Sequence, residues 1–402
     1  MNIIVWPRED YNNNRVHLNV FLRKELSQLV DNIFWIYKSK KKNTSIELKE
    51  GNNVFSISSI SESNGSKHNK FMSFILFLKN YNEFKKILSS EKIDVVYVRS
   101  GYLESMAALF LRSRYKYIFC YHLSTVFFLV DSVNYKLNPN LRSFIRQKFA
   151  ALSNFISKSI IKKSDIFLPV SKKMGDYYNR DFNLDVFNSP LCCDSEFINY
   201  ESTKPKIPES LVYVGQLSTY RDSMFLLRTL DIIVNGKNRN VKLNLVGEIM
   251  DQQLENEISD FIRERQLSEN IVIQKRRYEK IPEYVSSFTI GLAPRKPYPA
   301  DIFSSPTKVM EYLSLGIPTI ANYEIPDQSY LIRNSLGGIL VPYDEESFAS
   351  AIIKLLDNRI LSKKMGVAGR KWISKNRNYS NLSKEFHKKL LSKLRNKESY
   401  EK

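Results

Sequence analysis

Thr307, Lys308 and Glu311 are residue types that could together hold a phosphorylated ligand. They lie in the run Ser304-Ser305-Pro306-Thr307-Lys308-Val309-Met310-Glu311-Tyr312-Leu313-Ser314-Leu315-Gly316. Ser305 followed by Pro306 reads as a helix start, with a hydroxyl for the cap and proline at the first helical position. Gly316 reads as the stop. Lys308 and Glu311 are three apart, so they share a face near the positive end of that helix. A helix N-terminus with Thr307 and Lys308 beside it suits phosphate. A carboxylate one turn deeper cannot hold phosphate, but it can accept hydrogen bonds from a ribose diol. Phosphate with ribose points to a nucleotide. The competing reading is a capped helix that only packs on a sheet.

A second constellation is Tyr213-Val214-Gly215-Gln216-Leu217-Ser218-Thr219-Tyr220-Arg221-Asp222, a strand, a glycine turn and a helix start. Arg221 can hold a phosphate through two hydrogen bonds; otherwise it is a solvated cation. His122 closes the apolar run Cys120-Tyr121-His122, and Arg99-Ser100 closes another. Each is a polar group at a strand's end, or a satisfied core residue. Val246-Gly247-Glu248 and Gln274-Lys275-Arg276-Arg277 follow further strands.

Stepping outward, the elements that must carry these residues alternate. Strands are expected at Asn2–Trp6, Ile33–Tyr37, Val54–Ile57, Asp94–Arg99, Tyr117–His122, Asp165–Val170 and Val186–Leu191. After residue 210 they are expected at Leu211–Leu217, Lys242–Val246, Ile271–Gln274, Thr289–Ala293, Ile317–Ala321 and Gly338–Val341. They are continuous apolar runs, the pattern of parallel strands covered on both faces. Helical periodicity fills the gaps, notably at Val16–Leu29, Leu103–Arg112, Leu141–Lys163 and Met224–Val234. This alternation predicts two doubly wound α/β domains, which bind ligands at the carboxyl ends of their strands. We expect an N-terminal domain over 1–200, a second over 210–375 and a basic helical tail over 376–402, with the two-proline stretch Glu201–Glu209 as linker.

The chain has 402 residues and a net charge of +19, from 61 basic and 42 acidic residues, so an anionic partner is expected. Three cysteines form no disulfide framework, and Cys192-Cys193 lacks a second pair at zinc spacing. The first residues enter a strand at once rather than forming a leader, and no apolar run approaches the ~20 residues that span a bilayer. A phosphate-binding Gly-x4-Gly-Lys loop, a His-Glu-x-x-His metal motif, an Asp-x-Asp and a Gly-x-Ser-x-Gly are all absent. Leu141–Lys163 sets Leu141, Phe144, Ile145, Phe149, Leu152 and Phe155 among basic residues. Such a helix can lie on an anionic bilayer, at roughly 1 kcal/mol per basic residue, or pack on a core.

The Ser305–Gly316 stretch, with the Ile317-Pro318 strand after it, resembles the signature of retaining glycosyltransferases of the GT-B fold, family four in the usual numbering. Bacterial enzymes building capsule, O-antigen or exopolysaccharide are the most similar. The resemblance implies two Rossmann-like domains facing a cleft and a C-terminal helix crossing back to the first. It implies an acceptor-side first domain and a nucleotide-sugar donor domain second. In that pattern Glu311 binds the ribose, Gly215 lets the backbone approach the diphosphate, and Arg221 stands where a lysine grips it. Gln216 replaces the usual arginine, Arg277 sits where the base is held, and His122 reaches the donor sugar. Ser305, Thr307 and Lys308 complete the donor site. The family's first glutamate falls at Phe303, its glycine pair falls at Asn12-Asn13-Asn14-Arg15, and the second glycine after Val246-Gly247 is missing. The implied catalytic residues are Arg221, Lys308 and His122. No cofactor, metal or nucleic acid is implied. The partners are a nucleotide-sugar donor, a glycan or lipid-linked acceptor, and an anionic membrane surface through 141–163. The implied location is cytoplasmic or peripheral on the inner face of the cell membrane. A sugar-nucleotide epimerase and a degenerate, non-catalytic binding relative are the alternatives.

Overall fold

A computed structural model describes residues 1–8, 17–39, 47–50, 54–60, 70–137 and 139–401. The Asn12–Arg15 loop lies outside the described residues. The chain forms two compact units. One comprises Met1–Val126, Phe149–Pro190 and Tyr379–Lys402; the other comprises Phe127–Lys148 and Leu191–Asn378.

The first unit is built on a seven-stranded sheet of β1 (Asn2–Pro7), β2 (Asn32–Ser39), β3 (Glu47–Glu50), β4 (Val54–Ile60), β5 (Val95–Arg99), β6 (Ile118–Leu123) and β7 (Ile166–Pro169), in the order β3-β4-β2-β1-β5-β6-β7. All neighbours are parallel except β3, which runs antiparallel to β4. Every residue of β5 and β6 is buried, as expected of strands covered on both faces. The expected strand Val186–Leu191 reduces to a bridge between Val186 and Phe167. The helix Tyr379–Glu401 belongs to this unit: Phe386 packs on Phe21, Tyr97 and Phe187, and Ser383 donates to the Phe21 carbonyl.

The second unit holds a six-stranded parallel sheet of β8 (Ser210–Val214), β9 (Lys242–Val246), β10 (Ile271–Gln274), β11 (Ile290–Ala293), β12 (Thr319–Asn322) and β13 (Gly338–Val341), ordered β10-β9-β8-β11-β12-β13. Alternate strand residues feed two cores. Leu211, Tyr213, Leu243, Leu245 and Leu292 pack under helices Ser223–Asp231 and Glu345–Asp357. Val212, Val246, Ala293 and Ala321 pack under helices Thr307–Ser314 and Pro326–Ser335. The strand order reverses between β8 and β11, which is where an open α/β sheet leaves a crevice for a ligand.

Two expectations change. The run Leu141–Lys163 is two helices, Leu141–Lys148 in the second unit and Ala150–Lys163 in the first, broken at Phe149. Neither proline nor glycine marks the break; the first helix packs on Phe127–Leu137 and the second on Tyr102–Tyr115. Thr307–Ser314 begins one residue later than its proline suggests, with Pro306 itself at the cap position and no side chain capping it.

Candidate active site

The β8–β11 junction is held apart by one side chain. Tyr312 projects from the helix Thr307–Ser314, and its hydroxyl accepts a 2.7 Å hydrogen bond from the Val214 N–H. Its ring fills the space a Cβ at Gly291 would need, 2.4 Å from the ring carbon Cδ2. β8 and β11 therefore pair only through Leu211–Ile290 and Val212–Gly291. The phenol satisfies the strand N–H freed by this splay. It also fixes how far the helix N-terminus stands from the ends of both strands.

At those ends the cations gather. Lys308 lies half-buried with Nζ 4.7 Å from the Tyr213 ring centroid. Gly215, at φ +148°, follows β8; a Cβ there would meet Lys308 Nζ at 2.7 Å. Gly247 is needed for a second close approach, since a Cβ on it would strike the Gly215 carbonyl oxygen at 1.9 Å. Burial, then Arg221 and Arg295, push the Lys308 ammonium down to about 7. Burial pushes the Glu311 carboxyl up to about 7, against the pull of Lys308. Both groups are thus desolvated, and incompletely compensated by each other.

Arg295, two residues beyond β11, is a site residue that the sequence reading missed. Its Nε donates to Asp301 Oδ1 at 2.7 Å, and its backbone N–H donates to Asn322 Oδ1 at 2.8 Å. Burial and the nearby Arg221 lower its basicity. Asp301 is buried and also accepts from the Tyr220 hydroxyl at 2.8 Å, with Arg221 Nη1 3.8 Å away. One carboxylate thus orders Arg221 and Arg295 beside Lys308, and positive charge remains in excess. The signal in the sequence is a basic residue just past the carboxyl end of a strand.

The other expected residues are distributed as follows. Ser305 does not cap the helix: its hydroxyl donates to Asp327 Oδ2 at 2.6 Å and accepts from the Leu191 N–H at 3.1 Å. Arg377 binds the other oxygen of Asp327. Local capping loses to a tertiary carboxylate. Thr307 is exposed on the first turn, Gln216 is exposed beside Gly215, and Arg277 is exposed at the head of the turn Tyr278–Lys280. The loops after β9 and β10 are joined by Lys275 and Glu248 at 2.9 Å.

His122 lies in the first unit and is fully buried. Its Nδ1 shares a 2.5 Å hydrogen bond with the Tyr97 hydroxyl, its Nε2 has no partner among the described residues, and its ring stands 4.6 Å from that of His17. Burial and two neighbouring basic groups hold it far below the usual histidine range, so it is neutral.

Residues 208–358 match the family model described as Glycosyl transferases group 1. A search of curated proteins finds no match. The fold is similar to sucrose-phosphate synthase of Thermosynechococcus elongatus (TM-score 0.71, 14% identity, covering 98% of this chain and 100% of that one). It is also similar to HepE of Anabaena in complex with UDP (0.69, 12%, 98% and 100%) and to a glycosyltransferase of Rickettsia africae (0.67, 17%, 97% and 98%). At these identities the likeness concerns architecture, and that architecture is GT-B.

Proposed function

Taking the chain as a glycosyltransferase of the GT-B group 1 type, we propose that it moves a sugar from a nucleotide-sugar donor to a hydroxyl of a glycan or lipid-linked glycan, with retention. Bacterial surface polysaccharide synthesis is the setting this reading implies. The observation that carries it is the convergence of Lys308, Arg221 and Arg295 at the strand-order reversal, with Glu311 one turn into the helix behind them. A leaving diphosphate develops charge as the glycosidic bond breaks. Fixed cations and the uncapped N–H groups at Thr307–Val309 stabilise that charge without reorganising. Each well-placed donor is worth roughly 3–4 kcal/mol in the transition state. Gly215 admits the diphosphate to the backbone, and Glu311 as carboxylate accepts from the ribose hydroxyls. Gln216 and Thr307 are exposed around this point, and Arg277 serves the base. Ser305 acts indirectly, by fixing the strand of chain that precedes the helix.

In the first unit we take His122 as the sugar contact, because its Nε2 is a donor or acceptor with no partner among the described residues. His122→Gln then lowers turnover while leaving nucleotide affinity unchanged; unchanged turnover removes the assignment.

UDP is the first nucleotide to try, since HepE is solved with UDP and with UDP-glucose. The test is thermal unfolding of the purified chain with nucleoside diphosphates and nucleotide sugars. A ligand at 100 times its Kd stabilises by about 2.7 kcal/mol. A rise in Tm abolished by Glu311→Ala supports the reading; no rise with any nucleotide overturns it.

A further inference from the structure

The first unit exposes an apolar face that the transfer chemistry does not use. Helices Tyr102–Tyr115 and Ala150–Lys163 lie side by side and run in the same direction. At one end the Tyr102 hydroxyl meets Ser153 Oγ at 2.8 Å and accepts from Ser157 Oγ at 3.1 Å; at the other, Arg112 Nη1 donates to the Lys163 carbonyl at 2.9 Å. Their outer sides should be polar in a simple surface layer. Instead Leu103, Met106 and Phe110 recur at spacings of three and four, 45%, 54% and 76% exposed. Leu152 and Phe155 on the neighbouring helix are 51% and 69% exposed. Isolated exposed apolar residues are ordinary, but five large ones on two adjacent helices mark a surface that meets something.

Charge decides what it meets. Where the two helices end, a cavity of about 740 Å³ opens, with Met106, Leu109 and Phe110 on one side and Arg112, Lys163 and Lys397 on the other. The carboxylates nearby are engaged, Asp165 with Arg112 and Asp181 with Lys158. Arg114, Lys162 and Lys163 have no acidic partner among the described residues. A second copy of this chain would set these cations against their own kind in a two-fold contact. An anionic lipid surface satisfies both features at once: apolar side chains enter the acyl boundary while lysines and arginines meet lipid phosphates. No helix among the described residues is long and apolar enough to cross a membrane, so such contact is superficial.

We propose that this two-helix face docks the protein on an anionic phospholipid bilayer, through Leu103, Met106, Phe110, Leu152 and Phe155, with the basic cavity at its edge taking lipid headgroups. This keeps the Ala150–Lys163 half of the helix expected over 141–163 and joins to it the neighbouring helix Tyr102–Tyr115. It is independent of which reaction the second unit performs.

The test is co-sedimentation of the full chain with vesicles of phosphatidylcholine alone and of phosphatidylcholine mixed with phosphatidylglycerol. The chain pellets with the mixed vesicles, much less with the neutral ones, and is released by salt. The double substitution Phe110→Ser and Phe155→Ser lowers partitioning by at least about tenfold. Lys162→Gln and Lys163→Gln each lower it about fivefold. Far-UV circular dichroism and the nucleotide-induced rise in Tm stay as in the parent chain, since none of these residues is buried and none belongs to the unit that carries Lys308. No sedimentation with the mixed vesicles overturns the proposal. So does partitioning that these substitutions leave unchanged, or a serine variant that converts a dimer to monomer in sedimentation velocity without altering vesicle binding.

Discussion

Gly215 lies directly against Lys308: any side chain at 215 would begin 2.7 Å from the ammonium nitrogen. The turn after β8 and the helix Thr307–Ser314 are therefore fitted to one another at the point where a diphosphate would enter. Gly215→Ala must displace Lys308 and also strain a backbone at φ +148°. We expect at least about a tenfold loss of nucleotide affinity by calorimetry, with about 1 kcal/mol of stability lost in urea unfolding. Unchanged affinity would place the diphosphate elsewhere.

Lys308 is held in an environment that suits it badly until an anion arrives. Burial and two arginines lower its basicity to about 7. Lys308→Met keeps the stem and removes the charge. The empty protein should gain on the order of 1 kcal/mol, read as a higher Tm, while the nucleotide-induced rise shrinks. A lower Tm for the empty variant would mean that Lys308 serves the fold rather than a ligand.

The same pair sets a pH profile for binding. A diphosphate favours protonated Lys308, so affinity falls as pH rises above about 7. Ribose hydroxyls need Glu311 as carboxylate, so affinity also falls as pH drops below about 7. The expected profile is a bell with its maximum near neutrality. Glu311→Gln removes the acid limb and Lys308→Met the alkaline one, measurable by titration calorimetry across pH. A flat profile would separate both groups from the ligand.

Tyr312 supports the site without touching a ligand. Tyr312→Phe leaves the Val214 N–H at the splayed junction without its acceptor. We expect a loss of about 1–3 kcal/mol in urea unfolding and a smaller loss of nucleotide affinity. Full stability would show that water replaces the phenol.

The parallel strands are legible from the chain because burial on both faces leaves continuous apolar runs, and β9, β10 and β13 fall at the expected residues. β3 escapes because Glu47-Leu48-Lys49-Glu50 is a charged edge segment with no such run. The helices Pro326–Ser335 and Arg359–Asn376 escape for a different reason: their apolar residues are too sparse to make a clear stripe. Within the site, Lys308, Glu311 and Gly215 are visible through local spacing. Arg295 and Asp301 are not, because their meaning depends on β11 ending beside β8, a neighbour relation that skips over two strands of chain. Ser305 misleads for the same reason, since Asp327 reaches it through the fold.

The chain's division between its units also orders its synthesis. The second unit is interposed: apart from Phe127–Lys148 it runs from Leu191 to Asn378, and the ends of that stretch are joined, the Cys193 N–H donating to the Arg377 carbonyl at 2.8 Å. The first unit has its sheet by Pro169 but lacks Phe386 and Leu390, both buried in its core, until the helix Tyr379–Glu401 has been made. On a ribosome adding residues from the N-terminus, the second unit is therefore the one able to close first. The unit begun earliest is completed last, and its unfinished core is open for the whole time the other is being built.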